Sequence, residues 1–249
     1  MYRRINLMWW IMRFAVLTWS LFGSLGVTQT GNTTLKQVAD VPLPGRAVRF
    51  DYQSLDAEHG RLYIAHMNAD QLVVFDTASR QVVANLDGFK RIHGVLAVPE
   101  IDRVYASVTG DHEVVAVDMR TLKMVATAGP VNYPDGLAYS PSTRRVFVSD
   151  EHGDSDAVVD SVSGKLLATI RLGGGAGNTV YDAGSGHILV AVHGVNELDA
   201  IDPVAMRIIA TIHCRESEIR TASHSTPPRG WLSLQEREIT RWPSSTWQA

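Results

Sequence analysis

The sequence has little that could cross-link the folded chain or anchor it in a membrane. Cys214 is the only cysteine in 249 residues, so no internal disulfide can form and a hydrophobic core must hold the fold together. Arg13 interrupts the apolar run near the start, which leaves it short of the about 20 residues that a membrane helix needs. Apolar residues make up 45% and charged residues 20% of the chain, which excludes disordered and collagen-like proteins.

An excess of basic charge is also lacking. The chain has 23 Lys and Arg against 26 Asp and Glu, and Arg3, Arg4 and Arg13 lie in the first segment. A surface that binds nucleic acid carries the opposite sign, so no nucleic-acid partner is expected. The sequence also contains no P-loop, HExxH or CxxC motif. These absences favour a protein without catalytic activity.

The two ends differ in composition from the middle, because all six Trp residues lie within them. Residues 1–26 combine a basic start with an apolar run and small residues before Val27, which predicts a signal peptide. Translation could also begin at Met12, and an uncleaved anchor is the alternative. Cleavage would leave no stable membrane span and predicts a periplasmic or secreted protein.

A repeat of 42 residues governs the middle of the chain. The same step separates three sets of residues: Asp76, Asp118, Asp160 and Asp202; Ala84, Ala126, Ala168 and Ala210; and Leu62, Val104, Val146 and Ile188. Each unit holds four short apolar segments bounded by turn residues, which are strands rather than helices. Four strands in about 40 to 45 residues match one blade of a β-propeller.

The predicted fold is therefore all-β, a β-propeller within residues 27–213 that is incomplete and has about four blades. The predicted blades span about 48–90, 91–132, 133–174 and 175–213. Residues 35–213 resemble the bacterial YVTN-type β-propellers in segments such as PDGLAYSPSTRRVFVSD and VVAVDMRTLKMVAT. That resemblance implies an exported, usually seven-bladed protein that serves as a binding or scaffold platform.

The number of units does not complete such a ring, because seven units of 42 residues exceed 249. The pattern stops after Ile212, and residues 214–249 are either a divergent, disordered tail or the product of a reading-frame slip. LKQVA at 35–39 matches LKMVA at 122–126, which predicts an outer strand that closes a last blade absent from the chain.

Polar residues at one register position are the candidate site. Asp51, His93, Asp135 and Gly177 recur at steps of 42, and Asn178 follows Gly177. They begin the innermost strands, so Asp51, His93, Asp135 and Asn178 are predicted to face the central channel and bind a polar ligand. One candidate for this ligand is a divalent cation held by Asp135 and His93. The alternative is that these residues only bond the local backbone at turns.

The hairpins between second and third strands lie on the same face by propeller geometry. Their candidate residues are His66, Asp70, His112, Asp150, Glu151, His152, His193 and Glu197. The expected partner of this face is a small ligand or a protein. The segment SDEHGDSD lacks the spacing of an EF-hand loop.

An enzymatic alternative stays open. The PDG-L-A opening is similar to that of the senescence-marker/gluconolactonase family, which implies a metal-dependent hydrolase with one divalent cation at the channel mouth. Only Asp135 and Asn178 match that ligand set, and Asp51 stands where the family has Glu.

Overall fold

The computed structural model describes residues 36–214. The chain divides into two compact units, Met1–Asp40 and Val41–Ala249. In the first unit, residues 36–40 are exposed and form no helix or strand. The closing strand expected at 35–39 stays a prediction, because it requires a blade that the described residues do not contain. The predicted signal peptide and the tail beyond Cys214 lie outside the described residues.

The second unit contains four antiparallel sheets of four strands, each a simple meander. Blade 1 consists of β1 (Gln53–Asp56), β2 (Arg61–His66), β3 (Gln71–Asp76) and β4 (Gln81–Asp87). Blade 2 consists of β5 (Ile92–Val98), β6 (Arg103–Val108), β7 (Glu113–Asp118) and β8 (Met124–Ala128). Blade 3 consists of β9 (Pro134–Ser140), β10 (Arg145–Asp150), β11 (Ser155–Asp160) and β12 (Leu166–Arg171). Blade 4 consists of β13 (Ala176–Asp182), β14 (His187–Val192), β15 (Glu197–Asp202) and β16 (Arg207–His213).

This architecture confirms the expected all-β propeller fold, with four blades described. Each sheet lies within one of the four predicted units. Among residues 36–214, no helix is long and apolar enough to cross a membrane.

The recurrent aspartates at the ends of the third strands close the turns that follow them. Asp118 Oδ1 accepts hydrogen bonds from the backbone N–H of Thr121 at 2.9 Å and from the Thr121 hydroxyl at 3.0 Å. Asp76 and Asp160 make the same pair of bonds to Ser79 and Ser163. These bonds to the turn, the backbone ones first, hold the pKa of Asp76, Asp118 and Asp160 below its ordinary value. The side chains of these recurrent aspartates therefore stabilise turns.

Consecutive blades bury their faces against each other. The first cluster joins Tyr63, Leu72 and Val74 of blade 1 to Val104 and Val117 of blade 2. Equivalent clusters join blade 2 to blade 3 and blade 3 to blade 4. A single sheet would leave both of its apolar faces in water, so each blade depends on its neighbours.

At each blade boundary, a carbonyl at a repeated position accepts one of the hydrogen bonds that cross between the blades. Arg61 donates to the carbonyl of Met119 at 3.0 Å, and the Tyr105 hydroxyl donates to the carbonyl of Ser161 at 2.9 Å. Arg145 donates to the carbonyl of Pro203 at 2.5 Å. Met119, Ser161 and Pro203 are separated by steps of 42, so the repeat fixes where each blade is tied to the next.

The innermost strands approach closely at two glycines. A Cβ at Gly94 in β5 would lie 2.0 Å from the carbonyl oxygen of Asp135 in β9. A Cβ at Gly136 would lie 3.2 Å from the backbone nitrogen of Thr179 in β13. At Gly94 only glycine lets the backbones of β5 and β9 pack this closely. The close packing of these strands brings the candidate residues His93 and Asp135 near each other.

Candidate functional site

Three residues at the repeated position, and Asn178 one residue after it in blade 4, lie on the innermost strands or immediately before them. Asp51 precedes β1 by two residues, His93 and Asp135 lie in β5 and β9, and Asn178 lies in β13. The backbone of Asp51 still pairs with β2, because its N–H donates to the carbonyl of Ala65 at 3.0 Å. The four positions therefore sit on adjacent elements around one axis.

Electrostatics show that these groups are close to one another. Burial raises the pKa of Asp135, the nearby His93 counteracts that rise, and the negative charges of Asp51 and Glu151 add to it. Arg49 also lies near enough to lower the pKa of Asp135, and it pairs with Asp51 at 3.3 Å. Glu151, from the hairpin of blade 3, therefore belongs to the same site.

His93 is buried, and both of its ring nitrogens have partners. Nδ1 lies 2.7 Å from the carbonyl of Arg91 and 2.8 Å from the Thr109 hydroxyl, which itself donates to the carbonyl of Pro134. Two acceptors around Nδ1 assign the proton of the neutral ring to that nitrogen. Nε2, 3.2 Å from the Tyr133 hydroxyl, then accepts a hydrogen bond from it. The imidazole is thus held in one tautomer.

Two tyrosines that the sequence reasoning missed complete the site. The Tyr52 hydroxyl donates to Oδ1 of Asn178, which joins the start of blade 1 to the first strand of blade 4. Burial, followed by the charges of Asp135, Asp51 and Glu151, raises the pKa of Tyr52 to about 12, so it remains a phenol. The sequence did contain a signal for this pair. Tyr52 and Asn178 occupy the repeat position that is glycine in blades 2 and 3, Gly94 and Gly136, so blades 1 and 4 differ there by carrying a polar side chain.

Tyr133 is the second of these residues, and its ring packs against two histidines. Its ring lies 4.1 Å from that of His152 and 5.3 Å from that of His93, measured between centroids. The Arg91 guanidinium lies 5.9 Å from the Tyr133 centroid. Arg91 and Tyr133 share a register position with Arg49, a pattern that the sequence also contains.

We call the residues that meet here the axial cluster: Asp51, Tyr52, His93, Tyr133, Asp135, Glu151 and Asn178.

Two carboxylates of the axial cluster have no ion-pair partner among residues 36–214. Asp135 and Glu151 form no salt bridge there, whereas Asp51 has Arg49. Oδ1 of Asp135 is buried without a hydrogen-bond partner, and the residue as a whole is only partly buried. The centre of the cluster thus holds two carboxylates without a salt bridge, one of which has a buried oxygen without a hydrogen-bond donor.

Further hairpin residues, from blades 1, 2 and 3, support the cluster or lie beside it. Asp150 is buried and accepts the backbone N–H of Tyr133 at 2.7 Å, which fixes the loop that carries this ring. Asp70 accepts the backbone N–H of Arg91 at 2.7 Å. His112 is exposed, and its Nδ1 donates to the carbonyl of Asn132 at 2.6 Å.

The other hairpin candidates are engaged elsewhere. His66 is 1% exposed, stacks on Phe50 at 4.4 Å, and has no partner at either ring nitrogen. His193 is exposed and lies against Gly177, where a Cβ would stand 2.5 Å from its Nε2. Glu197 lies 3.1 Å from His213 in an ion pair at the edge of blade 4.

The described part of the chain contains no preformed metal centre. Residues 36–214 contain no group of three or more His, Cys, Asp or Glu placed to hold a metal ion. Asp135 and His93 lie within electrostatic reach of each other, but the Nε2 of His93 already accepts from Tyr133. The cation site on these two residues therefore stays a prediction.

Comparisons with known proteins agree with the fold. No protein-family profile matches the chain. It is similar to Protein NirF of Pseudomonas aeruginosa, with 22% identity over 179 residues that cover 66% of this chain and 46% of NirF. The chain thus spans about half the length of this curated relative.

A solved structure, hydrazine synthase of Kuenenia stuttgartiensis, is similar at a TM-score of 0.59 and 16% identity. The match covers 70% of this chain and 53% of that one. At this identity the likeness shows the fold alone. Together these comparisons are consistent with a β-propeller, and the YVTN-type resemblance stays a prediction.

Proposed function

We propose that this chain is an exported binding or scaffold protein without catalytic activity, and that the axial cluster is its binding site for a small polar ligand or a polar segment of a protein partner. The observation that carries the proposal is the convergence of polar side chains from all four blades. The hydrogen bond from Tyr52 to Asn178 spans the first and the fourth of them.

The rigidity of the cluster supports binding. His93 is held through both ring nitrogens, Tyr133 is held by Asp150 through its backbone, and Arg91 by Asp70. Prearranged polar groups lose little entropy when a ligand arrives, which favours affinity. The same network argues against His93 as a general base, because its Nε2 lone pair is already occupied.

The hydrolase alternative has less support. Its chemistry requires a divalent cation held by several protein ligands, and residues 36–214 contain no such set of His, Cys, Asp and Glu. The first-blade position holds Asp51, whose carboxylate is paired with Arg49.

The test is a thermal-shift screen of the full chain against divalent cations, sugars, organic acids and amines, repeated with two variants. Asp135→Asn removes the central charge of the axial cluster. Asp154→Asn is the matched control, because Asp154 is an exposed acid in the hairpin of blade 3 whose φ of 48° asparagine also tolerates.

We expect at least one compound to stabilise the wild type and Asp154→Asn but not Asp135→Asn. If every stabilising compound acts equally on all three proteins, the axial cluster is not the binding site. Lactone hydrolysis by the wild type that Asp135→Asn abolishes would replace the binding role with an enzymatic one.

A further inference from the structure

The axial cluster combines features that select one ligand class. The negative charge of Glu151 adds to the raised pKa of Asp135, and neither carboxylate forms a salt bridge among the described residues. The two nearby arginines are engaged elsewhere: Arg49 with Asp51 and Arg91 beside the Tyr133 ring. A ligand that compensates this centre must be positively charged.

The environment of Asp135 favours a cation that can donate a hydrogen bond. Its Oδ1 is shielded from water without a hydrogen-bond donor, so the protein itself does not compensate the desolvation of this carboxylate. The residue keeps partial exposure, and its second oxygen is therefore the one that a ligand reaches. A cation with N–H groups can donate a charge-assisted hydrogen bond to that oxygen.

Aromatic rings beside the carboxylates add to this preference. The Tyr52 hydroxyl hydrogen-bonds Asn178 and the Tyr133 hydroxyl hydrogen-bonds His93, so two phenol rings belong to the cluster. Phenol faces attract organic cations, and the attraction is stronger when water is excluded. A hydrated divalent cation gains little from such rings and would need more oxygen ligands than the described residues bring together.

We infer that the axial cluster binds a small protonated amine, with its ammonium group donating to Asp135 and lying near Glu151 and the ring of Tyr52. This inference rests on the proposed binding function and names the ligand class of the same site. The carboxylates supply charge, and the buried surroundings of Asp135 strengthen its attraction for a cation.

The test is a calorimetric titration of the full chain with three probes: n-butylammonium, tetramethylammonium and calcium chloride. Tetramethylammonium has the charge but no N–H donor, and calcium has the charge but no alkyl group. The proteins are the wild type, Asp135→Asn, Glu151→Gln and the control Asp154→Asn, each first shown to unfold cooperatively on heating.

We expect n-butylammonium to bind the wild type and Asp154→Asn with equal affinity. Its affinity should fall at least tenfold in Asp135→Asn and severalfold in Glu151→Gln, and tetramethylammonium should bind at least tenfold more weakly. Equal affinities for the two ammonium ions, or amine binding that Asp135→Asn leaves unchanged, would overturn the inference.

Failure of the inference is distinguishable from failure of the proposed function. Calcium binding that depends on Asp135, with no amine binding, would reject the amine and keep the axial site. A sugar or organic acid that depends on Asp135 in the thermal-shift screen would do the same. If no compound in either experiment depends on Asp135, both proposals fail.

Discussion

At the residue scale, the most unusual group outside the axial cluster is Asp156, which is completely buried between blades 3 and 4. Its Oδ2 accepts the Thr179 hydroxyl at 2.7 Å, and its Oδ1 accepts the N–H of Val148 at 3.1 Å. Desolvation outweighs these two bonds and raises the pKa of Asp156 to about 7. The repeat holds apolar residues at the equivalent positions, Leu72, Val114 and Leu198.

This raised pKa predicts a pH dependence of stability. Between about pH 4 and pH 7 the folded chain binds a proton at Asp156 that the unfolded chain has released, so the free energy of unfolding falls as the pH rises through this window. The change amounts to roughly 4 kcal/mol at most, from about 1.4 kcal/mol for each pKa unit. Asp156→Asn keeps an acceptor for Val148 and cannot ionise, so its stability should not show this fall.

The measurement is urea unfolding of the wild type and Asp156→Asn at pH 4.5, 6 and 7.5. The difference between the two proteins isolates Asp156 from the turn aspartates, whose lowered pKa values act in the opposite direction. Asp154→Asn serves as the exposed control and should follow the wild type. A difference between wild type and Asp156→Asn that stays constant with pH would refute the assignment.

At the element scale, the contact between β5 and β9 at Gly94 connects packing to the site. Alanine at this position would place its Cβ 2.0 Å from the backbone oxygen of Asp135 and 3.0 Å from Oγ of Ser107. Neither strand can yield easily, because each is paired within its own sheet. We expect Gly94→Ala to lower the free energy of unfolding by about 3 kcal/mol, the upper part of the range for overpacked sites.

The control is Gly173→Ala, where the nearest atom to the new Cβ is a flexible Glu197 oxygen at 3.6 Å. Urea unfolding of the two variants should show a large loss for Gly94→Ala and no loss for Gly173→Ala, because alanine at a compatible backbone conformation mainly restricts the unfolded chain and so stabilises the fold by up to about 1 kcal/mol. Similar losses in both would mean that the two innermost strands separate without cost.

The elements themselves could be predicted from the sequence because their causes are local. Alternating apolar segments specify strands, and Asp118 with Thr121 specifies a turn regardless of what surrounds it. The period also predicted that His93 and Asp135 lie on the first strands of neighbouring blades, as they do in β5 and β9, whereas their role in binding stays a prediction. The period could not show that Tyr52 bonds to Asn178, because that contact depends on the distance across the axis.

The buried state of Asp156 and His66 could not be predicted for a related reason. Both residues are polar and lie next to a hairpin, so the sequence predicts that they are exposed to solvent. They are buried because a neighbouring segment of the chain packs against them. Thr179 of β13 supplies that packing for Asp156, and Phe50 supplies it for His66.

At the scale of the whole molecule, stability depends on coupling between blades, and Tyr105 offers a way to measure it. Its hydroxyl is buried and donates across the boundary of blades 2 and 3 to the carbonyl of Ser161 at 2.9 Å. Burial raises the pKa of Tyr105 to about 12, so the donor is present at any physiological pH. Tyr105→Phe keeps the ring in the core and removes only this bond.

We expect Tyr105→Phe to lower the free energy of unfolding by about 1 to 2 kcal/mol, because the Ser161 carbonyl would lose its donor at a buried boundary. Tyr181→Phe is the control, since Tyr181 packs at the boundary of blades 3 and 4 through its ring. Hydrogen exchange under native conditions should then speed up in both β6 and β10, on the two sides of the boundary, for Tyr105→Phe alone. Faster exchange confined to blade 2 would show that the blades unfold independently of this hydrogen bond. Any remaining coupling between blades would then come from the buried apolar clusters rather than from the repeated cross-blade bonds.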